Sequence, residues 1–203
     1  DDSKPVLVYG TNVSSADSKD EIVTLIALDK DGTVLWETVQ NNTPGSDQID
    51  AVLSNPDGSY TAFGRCATDN KQSGNCLCVN IYSKNGTPLS ANTIDISDHI
   101  IENVALTESG YLMHLSSYVI ADFARVLKLD FEGNVVGDFS YESEDYDFYI
   151  ADFCELNDTV YISGYTAPKI EKNVVAYNMR DVLFLRSELA GNDTRSHEEL
   201  LDM

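Results

Sequence analysis

An acidic and aromatic run between residues 141 and 149 contains the side chains best suited to chemistry. Its candidate metal ligands are Glu144, Asp145 and Asp147, and its candidate ligand-binding residues are Tyr141, Tyr146 and Tyr149. Carboxylate oxygens are the ligands that Ca²⁺ prefers, so the acids predict a calcium site, although their spacing matches no EF-hand loop. Exposed tyrosine rings stack on sugars and peptides, so the tyrosines predict a ligand-binding loop. Alternating acidic and aromatic residues also fit an ordinary edge strand, and both interpretations stay open here.

The cysteines form a second group with chemical potential. They are Cys66, Cys76, Cys78 and Cys154, and they contain no Cys-x-x-Cys pair, which disfavours a zinc ribbon or a thioredoxin-type motif. Cys66 and Cys76 flank a polar segment, residues 67–75, that is typical of a hairpin turn. A turn there would place the two cysteines on neighbouring strands, where a disulfide can form. The sequence alone leaves their oxidation state open.

Other catalytic signals are weak. The histidines His99, His114 and His197 are far apart in the sequence and predict neither a catalytic triad nor a zinc site. A Gly-x-Ser-x-Gly nucleophile elbow and a glycine-rich phosphate loop are both absent from the sequence. These observations give no support to a serine hydrolase or a nucleotide-binding enzyme.

A degenerate repeat supplies the elements that must position these side chains. Three segments share an aspartate, a turn and a following strand: 47–64, 98–115 and 147–164. Before each segment comes a tight-turn sequence that follows an apolar run, and its glycine recurs about every fifty residues, at Gly32, Gly86 and Gly133. The unit therefore has four strands and two hairpins. Such a period is typical of radial repetition, in which each sheet buries its faces against its neighbours.

The repeat predicts an all-β fold, a β-propeller-like array of four-stranded antiparallel blades. We expect about four units, with the first and the last incomplete, in one repeat domain over residues 1–187. The expected units are approximately 5–45, 46–96, 97–144 and 145–187, followed by a polar C-terminal tail or short helix at 188–203. The units could close as a small ring, continue outside the chain, or stack as a short open solenoid. Open sheet edges favour self-association.

The charge of the chain restricts its partners. There are 13 Lys and Arg against 34 Asp and Glu, a net charge of −21. This excess repels phosphate backbones and anionic membrane surfaces, so we expect no nucleic-acid partner. No stretch approaches the ~20 apolar residues of a membrane span, so we expect no direct membrane insertion. A start at Asp-Asp rather than Met is typical of a processed or engineered boundary, and we expect that an export signal or lipid anchor has been removed there. We therefore expect an extracellular or cell-surface protein.

Two segments carry a family resemblance. Residues 57–64 read Asp-Gly-Ser-Tyr-Thr-Ala-Phe-Gly, and residues 28–36 read Leu-Asp-Lys-Asp-Gly-Thr-Val-Leu-Trp. The chain resembles the propeller repeats of secreted and surface-anchored bacterial proteins, and the second segment is similar, more distantly, to the quinoprotein-type repeat. Trp36 has no counterpart in the next two units, where Leu89 and Val136 occupy the corresponding region. The resemblance implies turns and blade packing, and it implies neither an activity nor a quinone cofactor.

Two function classes follow. We expect a non-catalytic extracellular or cell-surface binding or scaffold module that recognises a protein or glycan, with no cofactor except Ca²⁺. The alternative is a polysaccharide-active hydrolase or lyase that uses acidic residues on the propeller face as general acid and base. Asp47, Asp98 and Asp147 recur at one position of the repeat, which favours a structural turn role over a unique active site.

Overall fold

The fold was obtained as a computed structural model. It describes residues 5–13, 21–40, 47–66, 76–96, 99–117, 123–142, 146–157, 159–168, 181–188 and 193–196. The chain divides into two compact units, residues 1–98 and residues 99–203.

The first unit consists of two antiparallel sheets that follow one another along the chain. The three-stranded sheet contains, in order, β1 (Val6–Val13), β2 (Glu21–Leu28) and β3 (Val34–Gln40). The four-stranded sheet contains, in order, β4 (Ala51–Ser54), β5 (Tyr60–Cys66), β6 (Cys76–Tyr82) and β7 (Pro88–Asp95).

The core of the first unit lies between these sheets. Alternate residues of β2 are buried, and Leu25 packs with Tyr60, Ala62 and Tyr82 of the second sheet. Trp36 of β3 packs against the same cluster. Because side chains alternate between the two faces of a strand, the apolar and β-branched residues of β2 direct one face toward the core.

The second unit also consists of two sheets, but here the larger sheet comes first along the chain. A four-stranded antiparallel sheet contains, in order, β8 (His99–Thr107), β9 (Gly110–Ser117), β10 (Phe123–Leu129) and β11 (Val135–Glu142). A three-stranded antiparallel sheet contains, in order, β12 (Tyr146–Leu156), β13 (Thr159–Pro168) and β14 (Asp181–Glu188). A last short strand, β15 (Asp193–Ser196), pairs in parallel with the outer edge of β11.

The core of the second unit joins its two sheets. Its members are buried on β9, β10, β11, β12 and β13: Leu112, Val126, Phe139, Tyr141, Phe148, Phe153, Val160 and Ile162. Strands β8 to β11 contribute one face of this core, and β12 and β13 contribute the other. Within each unit, the two sheets therefore bury apolar faces against each other.

The predicted turn glycines occupy equivalent turns. Gly32, Gly86 and Gly133 have φ angles of 82°, 79° and 82°, a left-handed conformation that glycine adopts without strain. The amide of each donates to the carbonyl three residues earlier, at 3.1, 2.9 and 3.1 Å. The prediction of an all-β fold built from repeated antiparallel sheets is therefore confirmed.

A second repeated feature is a register shift in the first strand of a sheet. The pairing shifts between Ile101 and Asn103 in β8 and between Ile150 and Asp152 in β12. An extra residue of this kind bends a strand and redirects its side chains. In β12 it lies beside Gly164 of β13, where an added Cβ would lie 2.0 Å from the carbonyl oxygen of Tyr149.

The C-terminal segment differs from the sequence-based expectation at one place. Residues 193–196, expected within a polar tail or short helix, form β15. The edge of β11 offers backbone donors and acceptors. Pairing with them satisfies the backbone hydrogen bonds of a short polar segment, as a helical turn also would. Residues 197–203 lie outside the described part of the chain. In the described residues we find no helix with the length and apolar character needed to span a membrane.

Candidate functional site

The structure separates the residues of the acidic and aromatic run. Tyr141 is fully buried in the core of the second unit, because it alternates with Phe139 on the core-facing side of β11. Its ring is packed inside the protein, so the prediction that it binds a ligand on an exposed loop is not compatible with its position. Glu144 and Asp145 lie outside the described residues, while Asp147 lies in β12.

Tyr146 and Tyr149 face opposite sides of β12. Tyr146 and Phe148 are two residues apart in the strand, so their side chains lie on the same face. Because Phe148 is buried, the half-buried Tyr146 lies on the core side. Tyr149 points outward and is 37% exposed. Asp147 is two residues before Tyr149 in the strand and lies on the same outer face.

A pair of stacked tyrosines forms the centre of the candidate site. Tyr149 pairs directly with Tyr165 across the β12–β13 hairpin. The ring centroids are 4.7 Å apart and the ring planes differ by 14°. A stacked pair of this kind contributes about 0.5–1.5 kcal/mol beyond its buried area. It also presents two rigid aromatic side chains on one surface.

The partner strand extends this surface. In β13, Val160, Ile162 and Thr166 are buried, so the intervening Tyr161 and Tyr165 face outward. We call the outward surface formed by Asp147, Tyr149, Tyr161 and Tyr165 the aromatic face. Tyrosine rings can stack on the C–H face of a sugar or on a peptide side chain, and a carboxylate can accept hydrogen bonds from hydroxyl or amide groups.

Sequence reasoning identified Tyr149 and Asp147 but missed Tyr161 and Tyr165. The signal was present, because the tyrosines stand four residues apart in a strand and must share one face. Their association with Tyr149 required the hairpin register, which places Tyr149 opposite Tyr165.

Aspartates at two of the hairpin turns hold the backbone of those turns. Asp29 Oδ1 accepts hydrogen bonds from the amides of Asp31 (2.9 Å) and Thr33 (2.8 Å). The backbone hydrogen bond from Thr33 is the main cause that holds the pKa of Asp29 below its usual value. Asp57 accepts from the hydroxyl (2.6 Å) and the amide (2.9 Å) of Ser59, and these two bonds lower its pKa in the same way. These carboxylates therefore stabilise their own hairpin turns through hydrogen bonds.

A buried ion pair links the two sheets of the second unit. The Lys128 ammonium on β10 donates to the Glu155 carboxylate on β12, and the two side chains are 2% and 4% exposed. Lys128 Nζ also donates to Thr107 Oγ1 at 2.8 Å, and Ser109 Oγ donates to Glu155 Oε1 at 2.9 Å. Burial raises the pKa of Glu155, but the hydrogen bonds from Lys128, Thr107 and Ser109 outweigh it, so the pKa is lowered overall. The fully hydrogen-bonded arrangement fits a structural role between the sheets.

The cysteines lie in two places. A disulfide joins Cys66 and Cys76, which are directly opposite on β5 and β6 with Cα atoms 5.2 Å apart. Cys78 is a buried thiol, and Cys154 is an exposed one. Burial, with a smaller contribution from the charge of Asp47, raises the pKa of Cys78 to about 12.

The remaining candidates fit structural roles. Asp47 is 1% exposed and its backbone bridges to Cys66. Asp98 and His197 lie outside the described residues. His114 is half-buried in β9, where burial lowers its pKa and the charge of Glu102 acts in the opposite direction. The half-buried position of His114 within a strand fits a structural role.

Comparison with known proteins gives little guidance. No protein-family model and no curated protein matches the chain. Among solved structures, a mutant of the Synechocystis apocarotenoid oxygenase is similar over 93% of this chain and 65% of its own, with 10% sequence identity and a TM-score of 0.44. This chain therefore spans less than two thirds of that protein.

Proposed function

We propose that the protein is a non-catalytic binding module at the cell surface or outside the cell, and that it recognises a protein or glycan through the aromatic face. The stacked pair of Tyr149 and Tyr165 is the observation that carries this proposal. Two rings held parallel by adjacent strands lose little further freedom when a ligand binds, so they form a preorganised contact surface.

The repeated sheets support the view that the chain is part of a propeller-like array. In each unit, consecutive sheets pack face to face through cores centred on Leu25 and Phe139. Blades of a propeller bury their faces in the same manner, and the exposed surfaces of such a rigid scaffold commonly carry binding residues. The aromatic face lies on the last three-stranded sheet of this array.

A neutral glycan fits the aromatic face better than an anionic one. Tyrosine rings contact the apolar C–H surface of a sugar, and the Asp147 carboxylate can accept its hydroxyl protons. The chain carries a net charge of −21, which repels sulfated or carboxylated polysaccharides. Protein ligands with an exposed aromatic or proline side chain could use the same rings.

A binding screen with matched variants tests this proposal. The full chain is presented with neutral oligosaccharides, anionic oligosaccharides and peptides, and hits are measured by titration calorimetry. For a neutral glycan, Tyr149→Ala should weaken binding by about tenfold or more, the equivalent of about 1.4 kcal/mol. Tyr149→Phe keeps the ring and should bind as the wild type does, because stacking needs the aromatic surface and not the hydroxyl group.

Leu89→Ala provides a matched control. Leu89 is 61% exposed and lies on β7 in the first unit, so its loss removes exposed apolar surface from a different sheet. Binding that is unchanged in Tyr149→Ala, or lost equally in Leu89→Ala, would contradict the proposed site. Turnover of a polysaccharide in the same screen would contradict the non-catalytic function itself.

A further inference from the structure

Three buried cysteines form a compact cluster on the paired strands β5 and β6. The sulfur atoms of Cys66, Cys76 and Cys78 all lie within 4.8 Å of one another. Cys66 and Cys76 are directly opposite, and Cys78 follows Cys76 by two residues, so all three side chains are on the same face of the sheet. Their residues are 0%, 4% and 2% exposed. A disulfide between Cys66 and Cys76 accounts for two of the sulfurs and leaves Cys78 as an adjacent thiol.

We propose that this cluster binds a zinc ion when the Cys66–Cys76 disulfide is reduced, with the three sulfurs as ligands. Thiolates are preferred ligands of Zn²⁺, at a Zn–S distance of about 2.3 Å. Two such sulfurs around a tetrahedral ion are about 3.8 Å apart. The cluster thus needs only a small rearrangement to reach this geometry. A fourth position would be filled by water or by a nearby oxygen ligand.

The surroundings of the cluster favour a cation. Asp47 is 1% exposed, its backbone bridges to Cys66, and its carboxylate interacts electrostatically with Cys78. Two or more thiolates beside a buried carboxylate would repel one another strongly in a medium of low dielectric constant. A bound Zn²⁺ offsets two of these negative charges and so reduces the repulsion.

The oxidised and zinc-bound forms exclude each other. A dithiol reductant supplies two electrons and two protons to the Cys66–Cys76 bond and is itself converted to a disulfide. Zn²⁺ then replaces the three thiol protons of Cys66, Cys76 and Cys78, which are released to solvent. Reoxidation of the first two sulfurs removes two ligands and releases the ion. The site therefore couples metal occupancy to the redox state of the disulfide.

Cobalt substitution tests this proposal on the full chain. The reduced protein, freed of reductant under anaerobic conditions, is titrated with Co²⁺, whose thiolate complexes have characteristic charge-transfer and tetrahedral absorption bands. We expect one Co²⁺ per chain in the reduced protein, displacement by Zn²⁺, and no thiolate band in the oxidised protein. Cys78→Ser should weaken binding by about tenfold or more. The exposed Cys154 lies in the second unit, so Cys154→Ser should behave as the wild type does.

A variant-free measurement keeps the test decisive if Cys78→Ser does not fold. In the reduced wild type, native mass spectrometry should show one Zn²⁺ added per chain, and the oxidised protein should show none. Absence of a cobalt-thiolate band in the reduced wild type, equal affinity of Cys78→Ser, or absence of the zinc adduct would each overturn the proposal.

Discussion

The indole ring of Trp36 lies directly over Gly86. A Cβ atom added to Gly86 would lie 2.4 Å from Cε3 of Trp36, and the indole Nε1 donates to the carbonyl oxygen of Lys84 at 3.1 Å. Trp36 belongs to β3, whereas Gly86 lies in the turn between β6 and β7. One large side chain of the first sheet thus covers the turn of the second sheet, within the first unit.

Alanine at Gly86 should destabilise the protein more than alanine at Gly32. Both glycines have left-handed φ angles, 79° and 82°, so both substitutions add about 1–3 kcal/mol of backbone strain. A Cβ at Gly32 meets no atom within 4 Å, whereas a Cβ at Gly86 displaces Trp36. Urea denaturation monitored by circular dichroism should show the larger loss of unfolding free energy for Gly86→Ala. Equal losses would mean that the indole moves aside without cost.

Only the local part of this contact can be predicted from the sequence. The turn at Gly86 is local, because a short Asn-Gly sequence between two strand-forming runs fixes its backbone, and the repeat revealed it. The contact with Trp36 depends on how two sheets pack and spans many residues of chain. From the sequence it is clear only that Trp36 has no counterpart in the next two units. The contact with Gly86, which explains why a large ring lies there, is not predicted.

The candidate site shows the same division between local and nonlocal signals. The acidic and aromatic run identifies Tyr149 as a candidate from the sequence. Its pairing with Tyr165 can be seen only from the register of the hairpin. The sequence predicts a ligand-binding loop at Tyr141, because this residue belongs to the acidic and aromatic run. The structure extends β11 through this residue, and strand alternation turns its ring inward with Phe139. One residue of register decides whether a side chain in a strand faces solvent or core.

Alanine at Gly164 should damage the aromatic face through the backbone. A Cβ there would lie 2.0 Å from the carbonyl oxygen of Tyr149, a backbone atom that cannot move without breaking the β12–β13 pairing. We expect a loss of about 2 kcal/mol or more in unfolding free energy, in the range of overpacking. Glycan binding should be lost together with stability.

Gly10→Ala serves as the control for this substitution. Gly10 also lies in a strand, but nothing lies within 4 Å of the added Cβ. Its stability should remain within about 0.5 kcal/mol of the wild type in the same urea titration. A Gly164→Ala variant as stable as Gly10→Ala would show that the hairpin tolerates the displacement.

The two free thiols should differ strongly in reactivity. Cys154 is exposed, while Cys78 is buried with its pKa raised to about 12, mainly by burial. A thiol with a raised pKa remains protonated, and the protonated form is a poor nucleophile. Native protein treated with iodoacetamide between pH 7 and pH 9 should therefore be modified at Cys154 and not at Cys78, as measured by peptide mass spectrometry. Both thiols should react in denaturant, and rapid native modification of Cys78 would contradict its burial.

Removal of the Lys128 ammonium group should leave the buried Glu155 carboxylate without its ion-pair partner between the sheets of the second unit. Lys128→Met leaves Glu155 buried without its ammonium partner, and such a loss costs about 3–5 kcal/mol near neutral pH. The double variant Lys128→Met with Glu155→Leu removes both charges and should recover most of that stability. Thermal or urea unfolding of the three proteins at pH 7 measures this difference.

The pH dependence of these variants follows from the lowered pKa of Glu155. A carboxyl group whose pKa is lower in the folded than in the unfolded protein adds stability above its unfolded pKa of about 4.3, and this stability is lost as pH falls through the folded value. Wild-type stability should thus decline below about pH 5 more steeply than that of the double variant. In Lys128→Met the unpaired Glu155 becomes neutral as pH falls, so its deficit relative to the wild type should shrink. A deficit that stays constant from pH 7 to pH 4 would indicate lost packing of the lysine chain rather than a stranded carboxylate.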